Sequence, residues 1–230
     1  MNERLGPRGA GSDRMSPPMN RLFLYWHRKS REQKHRLFLQ FLNPTPEMRI
    51  LNVGAAGTRI GLQEQLEPSY PHRSRIIGGG ISFADVEDYR DSFPGVTAVV
   101  FDGCALPFAD QSFDIVYSNA VLEHLPGKEF VERFAAEVQR VGKGWFITTP
   151  NFWYPIEPHY HLLFVQLLPE ATQQRLVRRI GRTPYEHLHL LTKKELRRLF
   201  PTGEVIGCRV TFCPETLIAY QAPHTSQPAI

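Results

Sequence analysis

The chain of 230 residues is 42% apolar and 22% charged, the balance of one soluble globular domain with a real core. No run approaches the roughly 20 apolar residues of a membrane-spanning helix, and residues 1–20 lack the apolar segment of a secretory signal. Three cysteines without metal-ligand spacing (Cys104, Cys208, Cys213) and a formal net charge of only +4 point to a reduced, cytoplasmic setting and away from a nucleic-acid binder.

Residues 1–18 hold little that can be buried and read as a disordered tail. The remainder, 19–230, reads as a single domain. A helix is expected from Asn20 to Leu42, ended by Asn43-Pro44-Thr45-Pro46 because proline breaks the hydrogen-bond ladder. A first strand follows at about Arg49–Val53 and runs into Gly54-Ala55-Ala56-Gly57. Next come a helix from about Arg59 to Leu66, stopped near Pro68, and a second strand at Arg75–Ile77 entering Gly78-Gly79-Gly80-Ile81. A helix over Phe83–Tyr89, a third strand at Val96–Phe101 and a fourth at Phe113–Tyr117 continue the alternation.

A helix from Lys128 to Arg140 and a fifth strand at Trp145–Thr149 follow. This spacing implies an α/β fold with a mostly parallel sheet and helices on both faces. Thr192, with Glu195 three residues on, forms a capping box that opens a helix to about Phe200. Two last strands are expected at Glu204–Val210 and Thr216–Ala222, which makes seven in all. Residues 150–191 break the pattern. An aromatic, proline-rich and histidine-rich start, Asn151 to His161, leads into an amphipathic stretch from Leu162 to Ile180.

Residues 101–125 carry the most specific signal: Asp102 after a strand, then Leu106-Pro107-Phe108, Asp110, Ser112-Phe113-Asp114 and Leu122-Glu123-His124. With the glycine turn about fifty residues upstream, this block resembles the class I S-adenosylmethionine-dependent methyltransferases, in their small-molecule, type 11-like branch. The resemblance covers about residues 49–149. It implies a Rossmann-like seven-stranded sheet closed by an antiparallel hairpin, with S-adenosyl-L-methionine bound at the strand ends. It also makes 150–191 a lid that carries the acceptor pocket.

A turn without bulky side chains lets the methionine and ribose portions approach, which suits Gly54, Ala55, Ala56 and Gly57. The resemblance makes Asp102 the acceptor for the adenine amino group. It sets the N–H groups of Gly103 and Cys104 beside the ring, and Ser118 and Asn119 along the methionine side. Two positions depart from the pattern. Asn52 stands where the first strand normally ends in an acid, and Gly80, followed by Ile81, stands where an acid normally grips the ribose. Asp85, Glu87 and Asp88 are the nearby acids that would have to compensate. The departures keep a second function open, a cofactor-binding pseudoenzyme acting as a partner subunit. A nicotinamide oxidoreductase fits less well, since its G-x-G-x-x-G turn is absent.

Transfer to a hydroxyl needs a proton acceptor, and a histidine titrating near neutrality suits that role. The candidates are His124 in the Leu-Glu-His motif, and Glu157, His159 and His161 in the insertion. Two H-x-H pairs, His159/His161 and His187/His189, also raise zinc binding, although alternate histidines on a strand need mark no more than a polar face; no metal is expected. The basic runs His27–Arg31, Arg175–Arg182 and Lys193–Arg198 read as solvated helix faces or as contacts to an anionic surface. The expected partner is a small-molecule acceptor, a glycan or a lipid-linked intermediate, with peripheral membrane contact through the arginine-rich stretch.

Overall fold

The computed structural model describes residues 17–58, 66–185 and 187–223. Helix α1 spans Pro17–Leu42, so its start takes in two residues expected in the tail; residues 1–16 lie outside the described part. Strand β1 is Ile50–Val53. The helix expected over Arg59–Leu66 falls mostly outside the described residues, and α2, Leu66–Ser69, continues through Pro68 where a stop was expected.

Strand β2, Ile76–Gly80, includes all three glycines. It runs on past the β-branched residues because the glycines allow close packing. A Cβ at Gly78 would meet the Tyr89 hydroxyl at 2.4 Å, and one at Gly79 the Val99 carbonyl oxygen at 1.7 Å. Helix α3 is Phe83–Ser92, capped by the Ser82 side chain, and β3 is Thr97–Val100. Strand β4 runs Phe113–Asn119, so Ser118 and Asn119 are its last residues and do not follow it.

Leu122–His124 is a single 3-10 turn and not the start of a helix. Helix α4 is Lys128–Val141 and β5 is Gly142–Pro150. The insertion folds as a small hairpin, β6 (Ile156–Glu157) with β7 (Leu162–Leu163), then helix α5 over Glu170–Arg179. Helix α6, Lys193–Leu199, opens with the expected capping box at Thr192 and Glu195. Strands β8 (Glu204–Cys208) and β9 (Thr216–Gln221) complete the sheet.

The sheet order is β3-β2-β1-β4-β5-β9-β8. The first five strands are parallel, and β9 runs antiparallel to both β5 and β8. Strand order reverses between β1 and β4, and in open α/β sheets a ligand crevice lies outside the carboxyl ends at that reversal.

The two faces separate by strand alternation. Leu51, Val53, Val116, Ile147, Leu217 and Ala219 join the core under α4 and α6. Ile50, Ile115, Tyr117, Phe146 and Ile218 pack under α1 and α2. Phe38 of α1 meets Tyr117 and Phe146 edge-on at 5.4 and 5.5 Å, and Phe41 stacks on Tyr220 at 4.3 Å. These contacts fix α1 across the sheet with its middle turns near the β4 end. Among the described residues no helix is long and apolar enough to cross a membrane.

Candidate functional site

The turn after β1 is shaped by packing on both sides. Gly54 has φ +81°, and a Cβ there would meet Val121 Cγ2 at 2.3 Å, so both conformation and space require glycine. The N–H groups of Gly54 and Ala55 both donate to the Gly79 carbonyl, at 2.7 and 3.1 Å. They extend the sheet and do not face a ligand. The Ala55 side chain is buried with Tyr89 and Phe93. Gly57 is small for the sake of α3, since a Cβ there would lie 2.4 Å from the Asp88 carbonyl oxygen.

Asn52 also turns away from the strand ends. It is buried, and its Nδ2 donates to Glu67 Oε1 at 2.6 Å; the Tyr89 hydroxyl donates to the same oxygen at 2.8 Å. Burial raises the Glu67 carboxyl above its ordinary value. An asparagine at position 52 is thus the partner of a buried acid.

Gly80 and Ile81 lie at the β2 end. A Cβ at Gly80 would find only Gly54 Cα, at 3.7 Å, and Ile81 is exposed. Of the three acids near enough in sequence to replace the missing ribose group, Asp85 lies in the first turn of α3. Glu87 lies 3.9 Å from Arg90, and Asp88 packs against Gly57.

Asp102 is exposed beyond β3. Its Oδ1 accepts from the Cys104 N–H at 2.8 Å, which closes a local turn and removes that N–H as a ring donor. The Cys104 thiol donates to the Phe130 carbonyl, and burial, with Asp102 nearby, pushes it up to about 11. Gly103 packs beneath Phe134 and Val53, with no room for a Cβ. The block that follows is pinned by Arg140 of α4, which donates to the carbonyls of Leu106 and Phe108 and pairs with Glu137 and Asp110.

At the β4 end, Ser118 is buried and its hydroxyl donates to the Val53 carbonyl at 2.9 Å, strapping β4 to β1. Asn119 Oδ1 accepts from Thr148 Oγ1 and from Lys34 Nζ of α1, both at 2.7 Å. Lys34 and His27 were not visible in the sequence as site residues. Their helix reads as apolar at its ends with a basic middle, and nothing local shows which end of the sheet it crosses.

The insertion brings a second group to the same place. Glu157 is buried; its Oε1 lies 2.6 Å from His159 Nδ1, and its Oε2 accepts from the N–H groups of His159 and Tyr160. Burial by itself lowers the His159 pKa, but the bond to Glu157, with the charges of Glu157 and Glu123, carries it above 6.5. The His159 ring meets His124 edge-on at 4.9 Å, and Tyr185 packs on both rings.

Glu123, fully buried beside them, accepts from Thr149 Oγ1 at 3.1 Å, and burial raises its carboxyl. One carboxylate oxygen of Glu123 and one ring nitrogen each of His124 and His159 lie within 4.8 Å of one another. Glu123 sits inside the Leu-Glu-His motif, but a buried acid there is invisible until the insertion is folded over it.

His161 does not join this group. It faces α1, its ring 5.8 Å from His27, whose pKa burial and the neighbouring His161, Arg31 and Lys34 lower to about 4. His187 and His189 are likewise outside the group, and the His189 N–H donates to the Glu123 carbonyl at 2.8 Å. A cavity of about 820 Å³ opens between α4, α6 and the insertion. It touches Glu157, and Gly54, Gly80 and Asp102 are not in its wall.

A family model described as a methyltransferase domain matches residues 55–147. No curated protein matches the chain. Among solved structures the chain is similar to the PH0226 protein of Pyrococcus horikoshii OT3, at 15% identity over 86% of this chain and 91% of that one, with a TM-score of 0.61. It is also similar to a SAM-dependent methyltransferase of Methanosarcina mazei, at 17% identity over 78% and 94% of the two chains and a TM-score of 0.53. A third is geranyl diphosphate C-methyltransferase of Streptomyces coelicolor A3(2), solved with Mg2+, geranyl diphosphate and S-adenosyl-L-homocysteine. It shares 11% identity over 93% and 86%, with a TM-score of 0.55. At these identities the likeness is one of fold. The family model lies across the glycine turn, β2 to β4 and most of β5, so residues 55–147 match a methyltransferase domain, on a fold shared with SAM-dependent methyltransferases.

Proposed function

We propose that the chain methylates a hydroxyl of a small acceptor, glycan-bearing or lipid-linked, held between the ends of β4 and β5 and a lid formed by residues 150–191. The observation that carries this reading is the Glu157–His159 pair, which the insertion delivers to Glu123 and His124. Val121, two residues before Glu123, packs on Gly54, so this cluster adjoins the glycine turn.

The cofactor residues fit in part. Gly54 shapes the turn, the open space at Gly80 and the exposed Ile81 border the ribose position, and Asp102 keeps Oδ2 for the adenine amino group. S-adenosylmethionine, when bound, supplies a methyl group already activated by its sulfonium. This chain's own groups align the acceptor oxygen and draw off its proton. His159 is fixed by Glu157, Lys34 adds positive charge by way of Asn119, and Tyr160, Val165 and Val177 give the lid a core of its own. The three free cysteines suit a reducing, cytoplasmic setting.

Asp102→Ala is expected to weaken S-adenosylhomocysteine binding at least several-fold by calorimetry. Replacing His159 and His161 together by alanine should leave that affinity nearly unchanged. It should also abolish transfer of labelled methyl from S-adenosylmethionine to an organic-solvent extract of cells. Equal loss of cofactor binding and transfer in the double variant would instead make the lid part of the cofactor site.

A further inference from the structure

We propose that Glu123, His124 and His159 bind a divalent metal ion of the zinc class, with Glu157 as the carboxylate that orients His159. The inference deepens the acceptor-site reading and rests on it for what the ion faces. With Nε2 of His159 on the ion, the ion in place of the free ring loosens the acceptor's proton, by lowering the pKa of the bound hydroxyl.

Three observations converge. The three ligand atoms lie within 4.8 Å of one another, so metal–ligand bonds of about 2.0–2.2 Å need side-chain movements of under about an ångström. Glu123 Oε1 is buried, and among the described residues none donates a hydrogen bond to it. A carboxylate oxygen in that state is costly, and native proteins rarely leave one so unless something else occupies the site. Third, the His159 Nδ1 contact to Glu157 leaves Nε2 as the free ligand atom. A carboxylate behind a metal-binding imidazole is the usual outer partner of such a site, fixing tautomer and ring direction.

The surroundings are rigid in the way a metal site requires. Glu157 Oε2 is held by two backbone N–H groups, and Tyr185 packs on both histidine rings. Two imidazoles and one carboxylate favour zinc-like ions over magnesium or calcium, which prefer all-oxygen shells. Glu123 and Glu157 are both buried beside the two histidines, and Lys34 Nζ donates to Asn119. Carboxylates at these two positions would offset the charge of a dication. Three protein ligands leave at least one coordination position, open to an oxygen of the acceptor.

The test uses the full-length protein, stripped with chelator and titrated with Co2+ by visible absorption and with Zn2+ by calorimetry, without acceptor. One equivalent of Co2+ should bind with the bands of a low-coordinate site and be displaced by Zn2+. His159→Ala and Glu123→Gln should each weaken Co2+ binding by at least about tenfold, and Glu157→Gln by about ten- to a hundredfold. His187→Ala should leave it unchanged.

If Glu123→Gln fails to fold, His124→Ala carries the same test, its fold checked by S-adenosylhomocysteine affinity. No Co2+ uptake by the native protein, or uptake in His124→Ala and His159→Ala equal to the native protein's, overturns the inference. Stripped protein that still transfers methyl groups without taking up Co2+ would overturn the metal site and leave the acceptor-site reading standing.

Discussion

At Gly80 the backbone is in place and the side chain is missing. The position ends β2, next to the glycine turn, with no left-handed φ and no atom nearer than 3.7 Å to the place a Cβ would take. An aspartate can therefore be added without strain, and a charged hydrogen bond to a ribose hydroxyl contributes about 1.5–3 kcal/mol. Gly80→Asp is expected to tighten S-adenosylhomocysteine binding by roughly ten- to a hundredfold in calorimetric titration. Weaker binding by a folded variant would show that another group already occupies the space. Asn52 teaches the opposite lesson. In the sequence it stands as a departure from an acidic position in the cofactor site, and in the fold it serves Glu67, behind the strand.

Glu67 ties three elements together, accepting from Asn52 of β1 and Tyr89 of α3 while it sits in α2. Its carboxyl is raised by burial, against the pull of those two hydrogen bonds. A raised folded value means that the proton is bound more tightly in the native state. The stability this contributes is complete below the ordinary value of 4.5 and is lost as pH rises through the folded value. Glu67→Gln keeps an acceptor at Oε1 and cannot ionise. Its melting temperature relative to the native protein should therefore rise with pH from about 4.5 upward, by about 2–4 °C for each kcal/mol gained. A difference that stays flat from pH 4 to 9 would show that Glu67 does not titrate in that window. The capping box at Thr192 is the contrasting element, readable in sequence because all its partners lie within four residues.

On the outer surface of the molecule, the insertion and the loop beside it carry an apolar rim. Trp153, Leu163, Phe164, Leu167 and Phe212 are each more than half exposed. They are gathered by local contacts: Gln166 donates to the carbonyls of Phe152 and Tyr154, the Phe164 N–H to that of Pro155, and Tyr154 stacks on Phe212 at 6.0 Å. Arg175, Arg178 and Arg179 stand on the adjoining α5. Apolar side chains beside basic ones suit the surface of an anionic membrane, which is where a lipid-linked acceptor is found. The protein should co-sediment with phosphatidylglycerol vesicles and not with neutral phosphatidylcholine vesicles, and Leu163→Asp with Leu167→Asp should reduce this several-fold. Native protein that stays in the supernatant with both would count against a membrane-bound acceptor.

The order of strands and helices, the glycine turn and the block around Asp102 could all be read from residue order, because each is written in residues a few positions apart. Hydrophobic alternation and turn chemistry act locally, so the parallel strands and two closing strands were legible, while their pairing as an antiparallel hairpin came from the family resemblance. The insertion was legible as an interruption, and His124, Glu157 and His159 as chemistry without a place. It took the folded chain to bring Glu123 into their cluster, to turn His161 toward His27, and to carry Lys34 to Asn119 across 85 residues. Those contacts depend on where α1 and the insertion settle on the sheet. That placement is set by the summed packing of cores such as Phe38 against Tyr117 and Phe146, which no local pattern encodes.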